Sequence, residues 1–432
     1  MKKLSIIIFT SISLCFSLVH AQESNGNKRF DLSECIQWGV QNNAELKNAK
    51  LSLQMAKEDK SAAFSNFFPQ VSAMGGGFLG ANNMIESEMA IPTMGVLPIS
   101  LVKKGALATV TALQPLYMGG QVINGNKLAA VQQEIRQLEL GMTEKDVIQN
   151  IQTYYWKLVA LRGNIETLDA AEKQLNEVCK LTEQYVNAGI TTKNDLLRVQ
   201  LKQQEIASQR LSLNNGIEVV RMVLAQLCGA DLKSFDIVEQ NILTPDAPDT
   251  YFVSTDIALA NREETLLLEK AVRANALQVK MERGKNLPKL SVGAAALYYN
   301  MTDKNQTNII GLATVSVPIS GWWSGSHNIK KAKLALQQSK NTQRDTQEKL
   351  YIDIITTWNS VQEAYKQIEI ARHSVTQSEE NLRMSRDQYG AGTIDMTELL
   401  DAVTLFTQSH NTLVTACADY QSRIAEYQRK TK

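Results

Sequence analysis

The side chains of this 432-residue chain that could do chemistry are few and scattered. Beyond the N-terminal segment three histidines remain, His327, His373 and His410, each without a second ligand at metal spacing. Cys15, Cys35, Cys179, Cys228 and Cys417 form no CxxC or Cys/His pattern. Isolated helical cysteines usually act as small apolar residues. The last four are an even set that permits disulfides, with three possible pairings, in an oxidising compartment. No P-loop, HExxH or GxSxG occurs, and GGGFLG at 75–80 precedes a predicted loop, not a helix that could hold a phosphate. No catalytic, metal or cofactor-binding residue, and no cofactor, is therefore expected. What remains is a set of carboxylates beside two similar segments, NAGITTKNDLL at 187–197 and GAGTIDMTELL at 390–400. Asp195, Glu398 and Asp401 fall in or near the first turns of helices, where the helix dipole favours negative charge. Capping alone accounts for them.

The elements that must position these acids are written twice. FPQV at 68–71 is echoed by LPKL at 287–290, and QPLYMGG at 114–120 by VPISGWW at 317–323. Pro115 precedes Gly189 by 74 residues, and Pro318 precedes Gly392 by the same 74. The halves differ between Pro69 and Pro115, where 16 extra residues read as a longer loop at 81–102. The chain has only eight prolines, and 116–244 and 319–432 contain none. Such stretches accommodate very long helices. The order in each half is helix, strand pair, long helix, tight turn, helix. The first half spans 22–244, with strands at about 70–82 and 103–116 and helices at about 119–187 and 192–228. The second spans 245–432, with strands at about 289–301 and 309–319 and helices at about 321–389 and 394–430. Residues 229–254, with Pro245 and Pro248, read as a linker or girdle.

The helices carry a coiled-coil period. Ile354, Val361, Ile368, Val375, Leu382 and Tyr389 recur every seventh residue, with Thr357, Ala364, Ala371, Ser378 and Ser385 three places behind. A 3.5-residue apolar repeat keeps one seam facing a partner helix. Tight turns at Gly189 and Gly392 fold each long helix back as an antiparallel hairpin. The strands differ: 309–319 alternates Ile309, Gly311, Ala313, Val315, Val317 and Ile319, and 104–114 sets Ala106, Ala108, Val110 and Ala112 on one face. Their length suits a tilted membrane-crossing strand. Phe67, Phe68, Tyr117, Tyr298, Tyr299, Trp322 and Trp323 gather at the strand ends, as aromatics do at membrane–water interfaces. Four strands cannot close a membrane barrel, so a lipid-crossing chain of this kind must oligomerise.

Compartment follows from the ends. Residues 1–21 read as a secretory signal: Lys2 and Lys3, an apolar run Leu4–Val19, and a small-residue site at Val19-His20-Ala21. Basic residues number 45 against 44 acidic ones, and loss of Lys2 and Lys3 leaves 43 against 44. That balance gives no reason to expect a nucleic-acid partner. A mean hydropathy of −0.21 excludes a helical membrane transporter.

The doubled layout and the YxxG-T-x-x-x-x-[DE]-LL-D turn at 389–401 resemble the TolC-type outer-membrane efflux channels over about 30–430. The resemblance implies a mainly α fold with a small β part. It implies a homotrimer whose twelve strands form an outer-membrane barrel, continued by a twelve-helix coiled-coil barrel through the periplasm. It also implies a periplasmic adaptor, an inner-membrane pump and outer-membrane lipid as partners, and passive export of drugs or other small molecules. On that resemblance Glu398 and Asp401 match an acidic ring at the channel entrance, and Asp195 and Tyr389 match contacts that hold the tip shut. The position of the family's Arg latch is Ile394, so apolar contact or Asp395 is expected to replace it. The first turn is expected to be one residue longer, from Tyr185 to Gly189 against Tyr389 to Gly392. The competing class is a periplasmic coiled-coil adaptor or a structural envelope protein. An adaptor carries one hairpin, whereas two hairpins and two strand pairs are written here.

Overall fold

The computed structural model describes residues 29–82, 85–91, 95–238, 240–300, 305–319 and 321–432, by backbone alone for 85–91, 95–101 and Trp322. The expected leader at 1–21 and the Trp322 side chain lie outside the described residues. The fold is mainly α with a small β part. After a two-residue strand β1 (Arg29–Phe30) come α1 (Leu32–Asn42) and α2 (Ala44–Ser65). They are parted at Asn43, whose side-chain oxygen accepts from the Glu45 and Leu46 amides and so starts the second helix. Strands β2 (Gln70–Leu79), β3 (Ile85–Ile91), β4 (Gly95–Leu101) and β5 (Lys104–Met118) follow. Then come α3 (Gln121–Asn187), α4 (Lys193–Cys228) and a two-residue strand β6 (Asp236–Ile237) paired with β1. The remainder is α5 (Thr255–Asn261), α6 (Glu263–Lys285), β7 (Lys289–Asn300), β8 (Asn305–Ser316), α7 (Gly321–Gly390) and α8 (Met396–Thr431).

Helices α3 and α7, of 67 and 70 residues, each extend about 100 Å at 1.5 Å per residue. No proline interrupts either. Along them the helical layer runs α2, α3, α6, α7 near the sheet and α4, α3, α8, α7 further away. The heptad residues explain the packing: Ile354, Val361, Ile368, Val375, Leu382 and Tyr389 are all buried, as are Thr357, Ala364, Ala371, Ser378 and Ser385 between them. Leu399, Val403, Cys417, Tyr420, Ile424 and Tyr427 bury the matching stripe of α8.

The connection between the halves is a strap laid across the helices. Tyr155 Oη donates to the Val238 carbonyl at 2.9 Å, Tyr420 Oη to Asp246 at 2.7 Å and Tyr427 Oη to Val253 at 3.0 Å. Arg221 donates to the Leu232 and Phe235 carbonyls. Each bond satisfies a backbone oxygen that has no strand partner. Below it, Arg262 separates α5 from α6 with extended backbone and pairs with Glu264 (2.9 Å) and Asp353 (3.0 Å).

The sheet is antiparallel, ordered β2-β5-β7-β8, with β2 and β8 as its two edges. Pro69 and Pro288 stand just before β2 and β7, and Pro318 just after β8. Pro115 differs: it lies inside β5 where the pairing slips between Pro115 and Tyr117, a bulge that accommodates its missing N–H. The 81–102 segment expected as a loop holds the separate hairpin β3–β4. Its residues lack the long apolar alternation that marks the other strands. Strand β8 starts at Asn305, four residues before the expected 309, because polar Asn305–Asn308 pair with Leu297–Asn300. Gly75–Gly77 of the glycine run lie in β2, paired with β5.

Candidate functional site

Two regions gather the residues of interest: the sheet and the hairpin tips at the far end of the helices. Alternation and register sort the sheet into two chemistries. Across all four strands one face carries the rows Val71, Ala112, Ala294, Gly311 and Ala73, Val110, Ala296, Ile309. Leu290, Val292, Ala313 and Val315 continue it towards the helices. Ile309 is 83% exposed and Val71 70%. An apolar exposed surface continuous over four strands has no place against water. Gln114, at its helix-proximal margin, donates to the carbonyls of Phe67 (2.8 Å) and Pro115 (3.1 Å). The opposite face mixes Gln70, Ser72, Thr109, Thr111, Gln306 and Asn308 with apolar residues.

Aromatics flank the apolar face at two levels. Phe64, Phe67 and Phe68 cluster with ring centroids 5.5–5.6 Å apart, and exposed Tyr117 and Trp323 join this helix-proximal level. Tyr298 marks the other level, its hydroxyl 3.0 Å from Asn305 Oδ1. Leu290, paired with Tyr117, is eight residues from Tyr298, about 26 Å along the strand at 3.3 Å per residue. That matches the height of an outer-membrane apolar band. Tyr299 stands on the face opposite Tyr298. Adjacent strand residues point to opposite faces, so it lies with Leu107 and Gln306 on the mixed face.

At the tips, both turns obey one geometry. Gly189 and Gly392 each adopt φ +72°, and nothing lies within 4 Å of where a Cβ would stand. Gly189 N–H donates to the Val186 carbonyl and Ile190 N–H to Tyr185. Gly392 N–H donates to Tyr389 and Thr393 N–H to Gln388. These are Schellman closures, which need a left-handed residue that glycine supplies without strain. In each case the next helix is capped three residues on, at Thr192 or Asp395. The two turns therefore have equal length, against the expectation of a longer first one. What differs is that Tyr185 sits one register place earlier than Tyr389.

The acids behave as helix starts within the chain. Asp195 accepts from the hydroxyls of Thr191 and Thr192 (3.0 Å to the latter) and completes a capping box with Thr192. The Thr191 hydroxyl, then the hydroxyl and amide N–H of Thr192, hold its carboxyl below the ordinary value. Asp395 accepts from the Thr397 and Glu398 amides, and the Glu398 amide above all lowers its pKa. Glu398 and Asp401 are exposed, three residues apart on one side of α8, while Leu399, Ala402 and Val403 turn into the core. Neither carboxylate forms an ion pair among the described residues. Buried Tyr389 brings its hydroxyl 3.5 Å from Thr182 Oγ1 on α3. Ile394 packs half-buried against the Leu399–Val403 cluster.

Sequence reasoning missed the fasteners between hairpins. Arg386 on α7 bonds Glu177 (2.6 Å) and Gln174 (2.9 Å) on α3. Arg198 on α4 bonds Thr397 on α8 at 2.5 Å, and Tyr185 Oη donates to the Gly390 carbonyl at 3.0 Å. Finding them needs the vertical offset between hairpins, which a heptad count leaves open.

Residues 36–229 and 255–426 match the outer membrane efflux protein family. Over 296 residues the chain is 23% identical to the alkaline protease secretion protein AprF of Pseudomonas aeruginosa. That match spans 65% of this chain and 60% of the relative, under two thirds of its length. Among solved structures, the outer membrane protein VceC of Vibrio cholerae aligns with a TM-score of 0.76 at 16% identity, over 93% of this chain and 96% of that one. The Campylobacter jejuni CmeC outer membrane channel aligns at 0.77 and 16% identity, over 93% and 85%. At these identities the likeness is one of fold.

Proposed function

Because the chain belongs to the outer membrane efflux protein family, we propose that it is the outer-membrane exit duct of a tripartite efflux or type I secretion system. It would act as a passive conduit for drugs or other small molecules. The carrying observation is the sheet: one face apolar but for Gln114 between two aromatic levels, and two edges without a strand partner among the described residues. Open edges in lipid leave backbone N–H and C=O groups without partners. Joining β8 of one copy to β2 of the next removes them. Two copies would give eight strands, an interior that side chains fill. Three copies give twelve strands and room for a passage.

The helices supply the same joint. Exposed Leu51, Met55, Leu201 and Leu211 lie on the α2/α4 edge of the layer, and exposed Leu334, Ile352 and Ile355 on the α7 edge. Twelve long helices from three copies then continue the barrel as a periplasmic tube. A doubled ancestry agrees with the helix breaks at Asn43 and Arg262, which precede equivalent strand pairs.

In the trimer Glu398 and Asp401 would contribute six carboxylates to a cation-attracting ring at the entrance. Tyr389 and the capping box around Asp195 would keep the tips in their closed register, with Ile394 sealing by apolar contact where the family carries Arg. The partners in this reading are a periplasmic adaptor, which engages the helical end, and an inner-membrane pump, which supplies the driving force and the choice of cargo. Membrane fractionation tests the proposal. Recovery from the outer membrane only with detergent, as a heat-sensitive trimer on a gel, supports it. A freely soluble monomer overturns it.

A further inference from the structure

Two thiols without a part in conduction meet in the core. Cys35 lies in α1 and Cys228 ends α4, 193 residues later, and both are fully buried. Cys228 Sγ donates to the Cys35 carbonyl oxygen at 3.6 Å. A hydrogen bond with the Cys228 thiol, then burial, raises the Cys35 pKa. The backbone of α1 runs close against the end of α4: a Cβ on Gly39, one turn after Cys35, would stand 3.5 Å from the Leu227 carbonyl oxygen. Asn43 Nδ2 donates to the Leu227 carbonyl at 2.8 Å, and a Cβ on Gly229 would stand 2.7 Å from the Asn42 carbonyl oxygen. The end of α4 thus lies along α1 and meets its first turn at Cys35 through the Cys228 Sγ contact. Cys179, by contrast, has Glu183 as its sulfur's neighbour, and Cys417 sits on α8.

We propose that Cys35 and Cys228 close to a disulfide in the exported protein. The oxidant is the disulfide of a thiol–disulfide exchange protein. One cysteine, as its thiolate, attacks a sulfur of that disulfide and releases one oxidant thiolate, leaving a mixed disulfide. The second cysteine's thiolate then attacks the first cysteine's sulfur and expels the other oxidant thiolate. Two electrons and two protons pass to the oxidant, which ends as a dithiol. A buried thiol with a raised pKa, as at Cys35, is a poor nucleophile, so exchange precedes the docking of α1 on α4. The bond closes a loop that contains β2, β5 and the whole α3–α4 hairpin. It rests on the exported location proposed above.

The test uses the full protein taken from the outer-membrane fraction, denatured in N-ethylmaleimide without reductant and digested for mass analysis. The expected result is one cross-linked peptide joining Cys35 to Cys228, with Cys179 and Cys417 alkylated. Alkylation of all four cysteines overturns the proposal while the fraction itself still reports the duct location. A second measurement compares melting with and without reductant. Reductant should lower the midpoint of the unaltered protein to that of Cys228→Ala and leave the variant unmoved. An unaltered protein indifferent to reductant also overturns it.

Discussion

Ala112 and Thr111 are neighbours on β5, yet they should answer oppositely to the same substitution. Ala112 stands in the row Val71, Ala112, Ala294, Gly311, midway between the two aromatic levels. If that face meets lipid, Ala112→Arg sets a guanidinium near the bilayer midplane, at about 2–4 kcal/mol per chain. Thr111 lies in the row Ser72, Thr111, Ala295, Ile310 on the mixed face, which in the proposed barrel lines the water-filled interior. Thr111→Arg should cost under about 1 kcal/mol, the scale of an exposed substitution. At about 1.4 kcal/mol per tenfold, Ala112→Arg should reduce the folded-to-unfolded ratio about 30- to 700-fold. Urea titration of folding into lipid vesicles, read by the gel shift of the unheated trimer, measures both variants. Equal losses, or a greater loss for Thr111→Arg, would refute the assignment of faces.

Other substitutions probe the helical body. Arg262→Met fills similar volume but leaves Glu264 and Asp353 short of one cation. Arg429 and Lys430 still contact them, so a loss of about 2 kcal/mol is expected by thermal melting, below the 3–5 of a fully broken buried pair. Gly189→Ala and Gly392→Ala meet no neighbour, so each should cost only the left-handed strain of about 1–2 kcal/mol, and equally, in the same assay. Thr192→Ala removes a cap worth about 1 kcal/mol and should speed amide exchange in the first turn of α4 about fivefold. Asp195 and Asp395 have lowered folded pKa values, so their stabilisation is fully present above the ordinary value and lost as pH falls through the lowered one. Tip exchange, corrected for intrinsic rate, should stay flat from pH 7 to 5 and rise only below about 4.

The periodic parts of this fold were legible in the sequence because one physical rule sets them. A seventh-residue stripe from Ile354 to Tyr389 has a single way to be buried, and Ile309, Gly311, Ala313 and Val315 could share only one strand face. The turns at Gly189 and Gly392 were legible as turns. Their equal length was not, since the tyrosine at 185 suggested a register that the Schellman hydrogen bonds do not follow. Asn43 and Arg262 break helices through local capping and a distant ion pair, and neither is glycine or proline. The β3–β4 hairpin has a proline and mixed polarity, which read as loop. The Arg386–Glu177 and Arg198–Thr397 ties depend on how two hairpins are offset, a quantity that tertiary packing alone decides.

A water-filled passage across lipid, ringed at its tip by Glu398 and Asp401, should conduct ions. Its most direct test is the conductance of the purified protein in a planar bilayer, with Glu398→Ala/Asp401→Ala beside it. Discrete cation-selective steps, blocked by multivalent cations, are expected, with both selectivity and block reduced in the double variant. An absence of conductance from folded trimers would contradict the passage, and unchanged selectivity and block in the variant would contradict the acidic ring.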